Sequence, residues 1–181
     1  MVAAASETMF TRTRAIFGPA HGTTMVRKLE LATALANAGG LSEAQRMLRE
    51  IIAASPEPVW LLSVSKVELA RALRDCGEIK AACDVLESLV PCLSRATARW
   101  AQHEHVEACT ILGDCYTNMG RLDQAEKKLF LSIDHHLNNE NCCEYKMVHV
   151  LKLVVRLFCY CAGSRCCCIC ISRRVLFRRG I

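Results

Sequence analysis

Three groups of side chains in this sequence have the right types for chemistry. His103-Glu104-His105 and His135-His136 offer imidazole and carboxylate donors to a metal. Zinc needs four ligands converging from fixed spacings, and adjacent residues on a helix point about 100° apart. Neither group closes a coordination shell, so both read as surface histidines near helix ends, and no metal or cofactor is expected. Arg71 and Arg74 are three residues apart and share a face if their segment is helical. There they could grip a carboxylate or an acidic peptide by charge-assisted hydrogen bonds, or they are simply solvated. Finally, Cys166, Cys167, Cys168 and Cys170 crowd together beside Arg173 and Arg174. Three readings of this tail stay open. The thiols could be acylated, and lipid chains plus a basic patch would hold an anionic membrane. They could bind metal, although no C-x-x-C pair has a second pair at zinc-finger distance. Or the tail is a non-native C-terminus from intron read-through or a shifted frame, as its abrupt change of composition indicates. No phosphate-binding Gly loop, nucleophile elbow or recognisable carboxylate pair is present, so a non-enzyme is expected.

The elements that would position these groups are helices. Between residues 106 and 137, small and large apolar residues recur at helical spacing on both sides of Gly120, as in a helix–turn–helix pair. Gly120 can end the first helix in the left-handed conformation, and Asp123 with Glu126 offers a cap to the second. The phrase Gly120-Arg-Leu-Asp-Gln-Ala125 is repeated as Gly77-Glu-Ile-Lys-Ala-Ala82 and Gly39-Gly-Leu-Ser-Glu-Ala44, at spacings of 43 and 38 residues. A small residue precedes each glycine by seven positions (Ala32, Ala70, Gly113), a large one by four (Leu35, Leu73, Tyr116), and Leu48, Leu86 and Leu129 follow it by nine.

These residues resemble the tetratricopeptide repeat, in its longer kinesin-light-chain-type variant. The phrase Gly18-Pro-Ala-His21-Gly-Thr-Thr24 is similar to the Gly-Pro-acidic-His-Pro-x-Thr linker of that variant, with Ala20 and Gly22 replacing the acid and the second proline. The resemblance implies an all-α, right-handed solenoid of antiparallel helix pairs whose first helices line a groove for a protein or peptide. Carried over by position, the groove would present Thr33 and Asn37, Arg71 and Arg74, and Asp114 and Asn118. The Lys and Asn pattern with which some members clamp a C-terminal carboxylate is missing, its places being taken by Leu29 and Thr33. The asparagine ladder of kinesin light chains is mostly absent as well.

Along the chain, residues 1–24 read as a half-repeat helix and linker. Residues 25–141 hold three repeats (25–58, 63–96 and 106–139), residues 142–163 form an apolar helix beginning a degenerate fourth repeat, and residues 164–181 are the Cys/Arg tail. Residues 3–17 suit an amphipathic helix stopped by Gly18-Pro19. A mitochondrial presequence is the rival reading there, and Glu7 counts against it. Ser42 with Gln45 reads as a capping box. The second helix of repeat two, about Ile79 to Val90, lacks an obvious cap and should kink or end at Pro91. The stretch Leu93 to Val106 extends the flanking helices and is not expected to be a structureless loop. Gly163 stands where a fourth turn belongs. The pattern fades at both ends, as expected for a fragment, a truncated isoform or a gene-model artefact, and apolar surface there could self-associate.

The 181 residues suffice for one short array. The net charge of +5 comes from five arginines in residues 159–181, a stretch without acids, while the remainder balances 18 basic against 18 acidic side chains. A nucleic-acid reader would carry its basic stripe on a folded face, so none is expected as partner. Six of the 13 cysteines fall in residues 159–170, and no secretory signal precedes the rest, which points to a reduced, cytoplasmic protein. Lys152, Arg156 and Arg165 interrupt every apolar window long enough to span a bilayer. The expected function is a scaffold or adaptor binding a partner segment. The alternatives are a membrane-tethered adaptor acylated at Cys166, Cys167, Cys168 and Cys170, or a regulatory fragment of a larger enzyme or receptor.

Overall fold

The computed structural model describes residues 2–54, 58–138 and 144–161. Among them are eight helices and no strand: α1 (Val2–Phe17), α2 (Gly22–Asn37), α3 (Leu41–Ala53), α4 (Val59–Asp75), α5 (Ile79–Arg95), α6 (Arg99–Asn118), α7 (Leu122–Asn138) and α8 (Glu144–Cys161). They form two compact units, one ending at His105 and the other starting at Val106, so the division falls inside α6.

The glycine turns are built alike. Gly39, Gly77 and Gly120 adopt φ of 89°, 86° and 73°, a region that only glycine enters at little cost. At each, the glycine N–H donates to the carbonyl three residues back (Ala36, Arg74, Thr117), and the next N–H donates to the carbonyl five back (Leu35, Leu73, Tyr116). This paired closure satisfies the last carbonyls of the helix and aims the chain back along it. The residue after the glycine then accepts the first bond of the following helix, from Ala44, Ala82 and Ala125. Those three alanines are completely buried, as are Ala32 and Ala70 in the preceding helices, with Leu48, Leu86 and Leu129 packed close by in the core. Small residues at the crossing let the helices approach, and the leucines fill the space beside them.

In the first unit α1 packs on α2, α2 on α3, α3 on α4 and α4 on α5, and α2 also touches α4. The linker phrase has an evident structural purpose. His21 is the N-cap of α2, its Nδ1 accepting from the Thr23 N–H at 3.3 Å, and its ring stacks on Phe17 at 4.9 Å. The buried Thr24 hydroxyl donates to the Gly18 carbonyl at 2.8 Å, tying α2 to the end of α1. In the second unit α8 packs on α7. There the Thr110 hydroxyl bonds that of Ser132 at 2.9 Å, a buried tie between α6 and α7.

Several sequence expectations are corrected. Ser42 does not cap α3: Gly40 occupies the N-cap, Leu41 is the first helical residue, and Ser42 lies inside the first turn. Gln45 is buried instead of reaching back, and its amide faces the Ala72 carbonyl and a Glu78 carboxylate oxygen, both at 3.5 Å. Asp123 likewise lies within the first turn of α7. Helix α5 does not end near Pro91 but runs on to Arg95. Pro91 removes one helical N–H, yet it sits on the exposed face while Leu89, Val90 and Leu93 are buried around it, so packing outweighs the missing bond. Leu93 to Val106 is mostly helical, divided between the end of α5 and the start of α6. His136 is buried, contrary to the surface placement expected of it. Pro56, the turn residues 139–141, Gly163 and the whole tail lie outside the described residues.

Candidate functional site

The helices that precede the glycine turns (α2, α4 and α6) carry every residue expected in the groove; they are termed leading helices, and α3, α5 and α7 trailing ones. Thr33, Arg71 and Asp114 each follow the small residue of their repeat by one position, so each leaves its own helix in the equivalent direction relative to its own glycine turn.

The second unit shows where that direction leads. The Asp114 carboxylate accepts from Arg156 Nη1 at 3.0 Å, and Asn118 Oδ1 accepts from Arg156 Nη2. About two turns before Asp114, Glu107 accepts from Lys146 Nζ at 2.5 Å. Asp114 and Asn118 are therefore brought together by one guanidinium from α8, the next helix of leading type. The Asp114 side chain is only 10% exposed and that of Arg156 44%, so the pair is shielded on the acid side alone. Sequence reasoning passed over Arg156. The 43-residue period was the available signal, since it sets residue 156 level with Gly113, one position before Asp114.

In the first unit Thr33 is half-buried and Asn37 exposed on α2, beside α4 with Arg71 and Arg74. Both arginines are held by carboxylates of their own helix: Arg71 Nη1 to Glu68 at 2.7 Å, Arg74 Nη2 to Asp75 at 2.7 Å. An acidic ligand would have to share or displace these partners. Arg71 is the better placed to do so, its side chain being 33% exposed against 16% for Arg74. A further feature absent from the sequence reading is a cleft of about 480 Å³ along α7, lined by Asp123, Glu126, Lys127, Phe130 and Asp134.

Cys76, Cys83, Cys92, Cys109, Cys115 and Cys159 are all free thiols, and burial pushes the Cys109 thiol above its ordinary pKa. Among the described residues no cluster of three or more His, Cys, Asp or Glu could hold a metal ion, and no helix is long and apolar enough to cross a membrane. The four tail cysteines lie outside the described residues.

Successive helix pairs closed by identical glycine turns, with alanine packed beside leucine at each crossing, define a TPR-like repeat fold. Solved structures carry the same fold. One is a Podosopora anserina protein described as a putative kinesin light chain with nearly identical TPR-like repeats; it matches at a TM-score of 0.61 and 18% identity over 90% of this chain and 87% of that one. A single-substitution variant of that protein matches at a TM-score of 0.62 and 17% identity over 90% and 86%. No family model matches the sequence, and no curated protein matches it.

Proposed function

We propose that this chain is a protein-interaction scaffold, without catalytic activity of its own, that takes a partner segment along its leading helices. The observation that carries this reading is the pair of hydrogen bonds that Arg156 donates to Asp114 and Asn118: residues at these positions reach across from one leading helix to the next. Thr33 and Asn37 on α2 and Arg71 on α4 hold the same positions, with Arg74 one place before that of Asn118, and there the reach would be available to a carboxylate-bearing peptide. Affinity would come from a few such anchors on a preformed surface, with little ordering of the scaffold.

The test is affinity capture with the full chain, comparing wild type, Arg71→Gln, and Arg71→Glu with Arg74→Glu. Partners recovered by wild type should fall at least about tenfold with the charge reversals and less with Arg71→Gln, while far-ultraviolet circular dichroism stays helical. Full recovery by both folded variants would mean that partners sit elsewhere.

A further inference from the structure

We propose that the cleft along α7 takes a segment of this same chain, the basic stretch Arg173-Arg174-Val175-Leu176-Phe177-Arg178-Arg179. Asp123, Glu126 and Lys127 stand seven, four and three residues before Phe130, and Asp134 four after it, the spacings that share one face of a helix. That face lies apart from the one that sets Ala125, Leu129 and Ile133 in the core. Its acids fall toward the two ends and its ring between them: Asp123 and Glu126 at the start, half-buried Phe130 in the middle, half-buried Asp134 beyond. From Asp123 to Asp134 the helix rises about 16 Å. Three carboxylates against one ammonium make the cleft acidic. Its volume, about 480 Å³, falls within the range of roughly 300–1,000 Å³ for small-ligand sites, so it suits one short segment and not a folded surface.

The segment has the complementary order. Two pairs of arginines flank Val175, Leu176 and Phe177, and an extended chain covers about 13 Å from Arg174 to Arg178. Laid along α7, each pair meets an acidic end while the apolar side chains cover Phe130. Guanidinium–carboxylate hydrogen bonds are of the strong, charge-assisted kind, and guanidinium groups also stack on aromatic faces. The chain can make this approach. Glu107 on α6 bonds Lys146, and Asp114 and Asn118, further along α6, bond Arg156, further along α8, so α8 runs parallel to α6. The Gly120 turn reverses α7 against α6, so α8 runs back along α7 and brings Cys161 toward the Asp123 end of the cleft. The twelve steps from Cys161 to Arg173 span at most about 40 Å, more than twice the length of the cleft. Residues 173–179 lie outside the described residues; their charge, their order and this reach name them as the occupant. A segment tethered so closely has a millimolar effective concentration, which favours its own cleft over that of a second copy. While docked, its arginines are withheld from other anionic surfaces.

Isothermal titration calorimetry under reducing conditions tests this with the peptide Arg-Arg-Val-Leu-Phe-Arg-Arg and three forms of the full chain. These are wild type, a tail variant (Arg173→Gln, Arg174→Gln, Arg178→Gln and Arg179→Gln), and a cleft variant that adds Asp123→Asn, Glu126→Gln and Asp134→Asn to it. The tail variant, its cleft vacated, should bind one equivalent of peptide. Wild type should bind at least about tenfold more weakly, because its own segment competes. The cleft variant should also lose at least about tenfold, since the carboxylates that meet the arginines are gone. The new amides match the acids in size, at exposed or half-buried positions, so helicity should persist. Two altered peptides leave the protein untouched and keep the test decisive if the cleft variant does not fold. Phe177→Ala in the peptide, or the reordered Val-Leu-Phe-Arg-Arg-Arg-Arg, should bind the tail variant at least about threefold more weakly than the native order. Equal affinity of wild type and tail variant would overturn the proposal, and so would a tail variant that binds no peptide. Undiminished binding by a folded cleft variant would seat the segment elsewhere, and parity of the reordered peptide would reduce the contact to bulk charge; either result also overturns it.

Discussion

Gly113 is the place where this fold has least room. A methyl group built on its Cα would lie 2.5 Å from Leu129 Cγ and 2.6 Å from Leu129 Cδ2, with the Ala125 carbonyl at 3.5 Å. Carbon atoms prefer about 3.5–4.0 Å, so Leu129 would have to withdraw by about 1 Å. Leu129 is completely buried on α7, in an interior where close packing leaves little slack. Overpacking of this kind costs about 1–3 kcal/mol, whereas replacing a mid-helix glycine by alanine returns about 0.5–1 kcal/mol. Gly113→Ala should therefore destabilise the second unit, by up to about 2.5 kcal/mol, even though Ala32 and Ala70 occupy the same position in the other repeats. Leu129→Val should be costly in the wild type and much less so when combined with Gly113→Ala, because the smaller side chain vacates the space the methyl enters. Urea unfolding followed by circular dichroism, on wild type, both single variants and the double, gives the coupling directly. Greater stability of Gly113→Ala than of wild type, or strict additivity in the double, would refute the reasoning.

Two further outcomes follow from the turns and the surface charges. Nothing lies within 4 Å of a Cβ at Gly77, whose φ is +86°, so Gly77→Ala should lose about 1–2 kcal/mol from backbone strain alone and Gly77→Asn distinctly less; equal stability of the alanine variant in thermal unfolding would contradict this. The Glu50 carboxyl is held below its ordinary 4.5, first by the hydrogen bond from Lys28 on α2, against the opposing effect of desolvation, with the Lys28 and Arg46 charges adding to the lowering. A lowered carboxyl stabilises the fold above its ordinary value and stops doing so as pH falls through the lowered one. Lys28→Gln should thus cost a little at neutral pH, below about 1 kcal/mol for so exposed an acid, with the gap to wild type closing in acid. A gap that widens as pH falls would have the wrong sign.

The sequence alone determined the helix pairs. A glycine that must take positive φ, an alanine five residues on and a leucine nine on are requirements set within a dozen residues, and a chain read locally displays them; hence the turns fall at Gly39, Gly77 and Gly120. The tertiary structure decided whatever depends on how closely one helix approaches another. Pro91 reads locally as a stop, yet burial of Leu89, Val90 and Leu93 carries α5 past it. Gln45 reads as a capping residue, yet α3 starts one residue before Ser42 and turns the amide toward Ala72 and Glu78. Asp114 and Asn118 read as open groove residues, yet Arg156, about 40 positions later, meets them both. Backbone conformation is settled among neighbours in the chain, while side chains such as these find partners only once separate helices lie side by side.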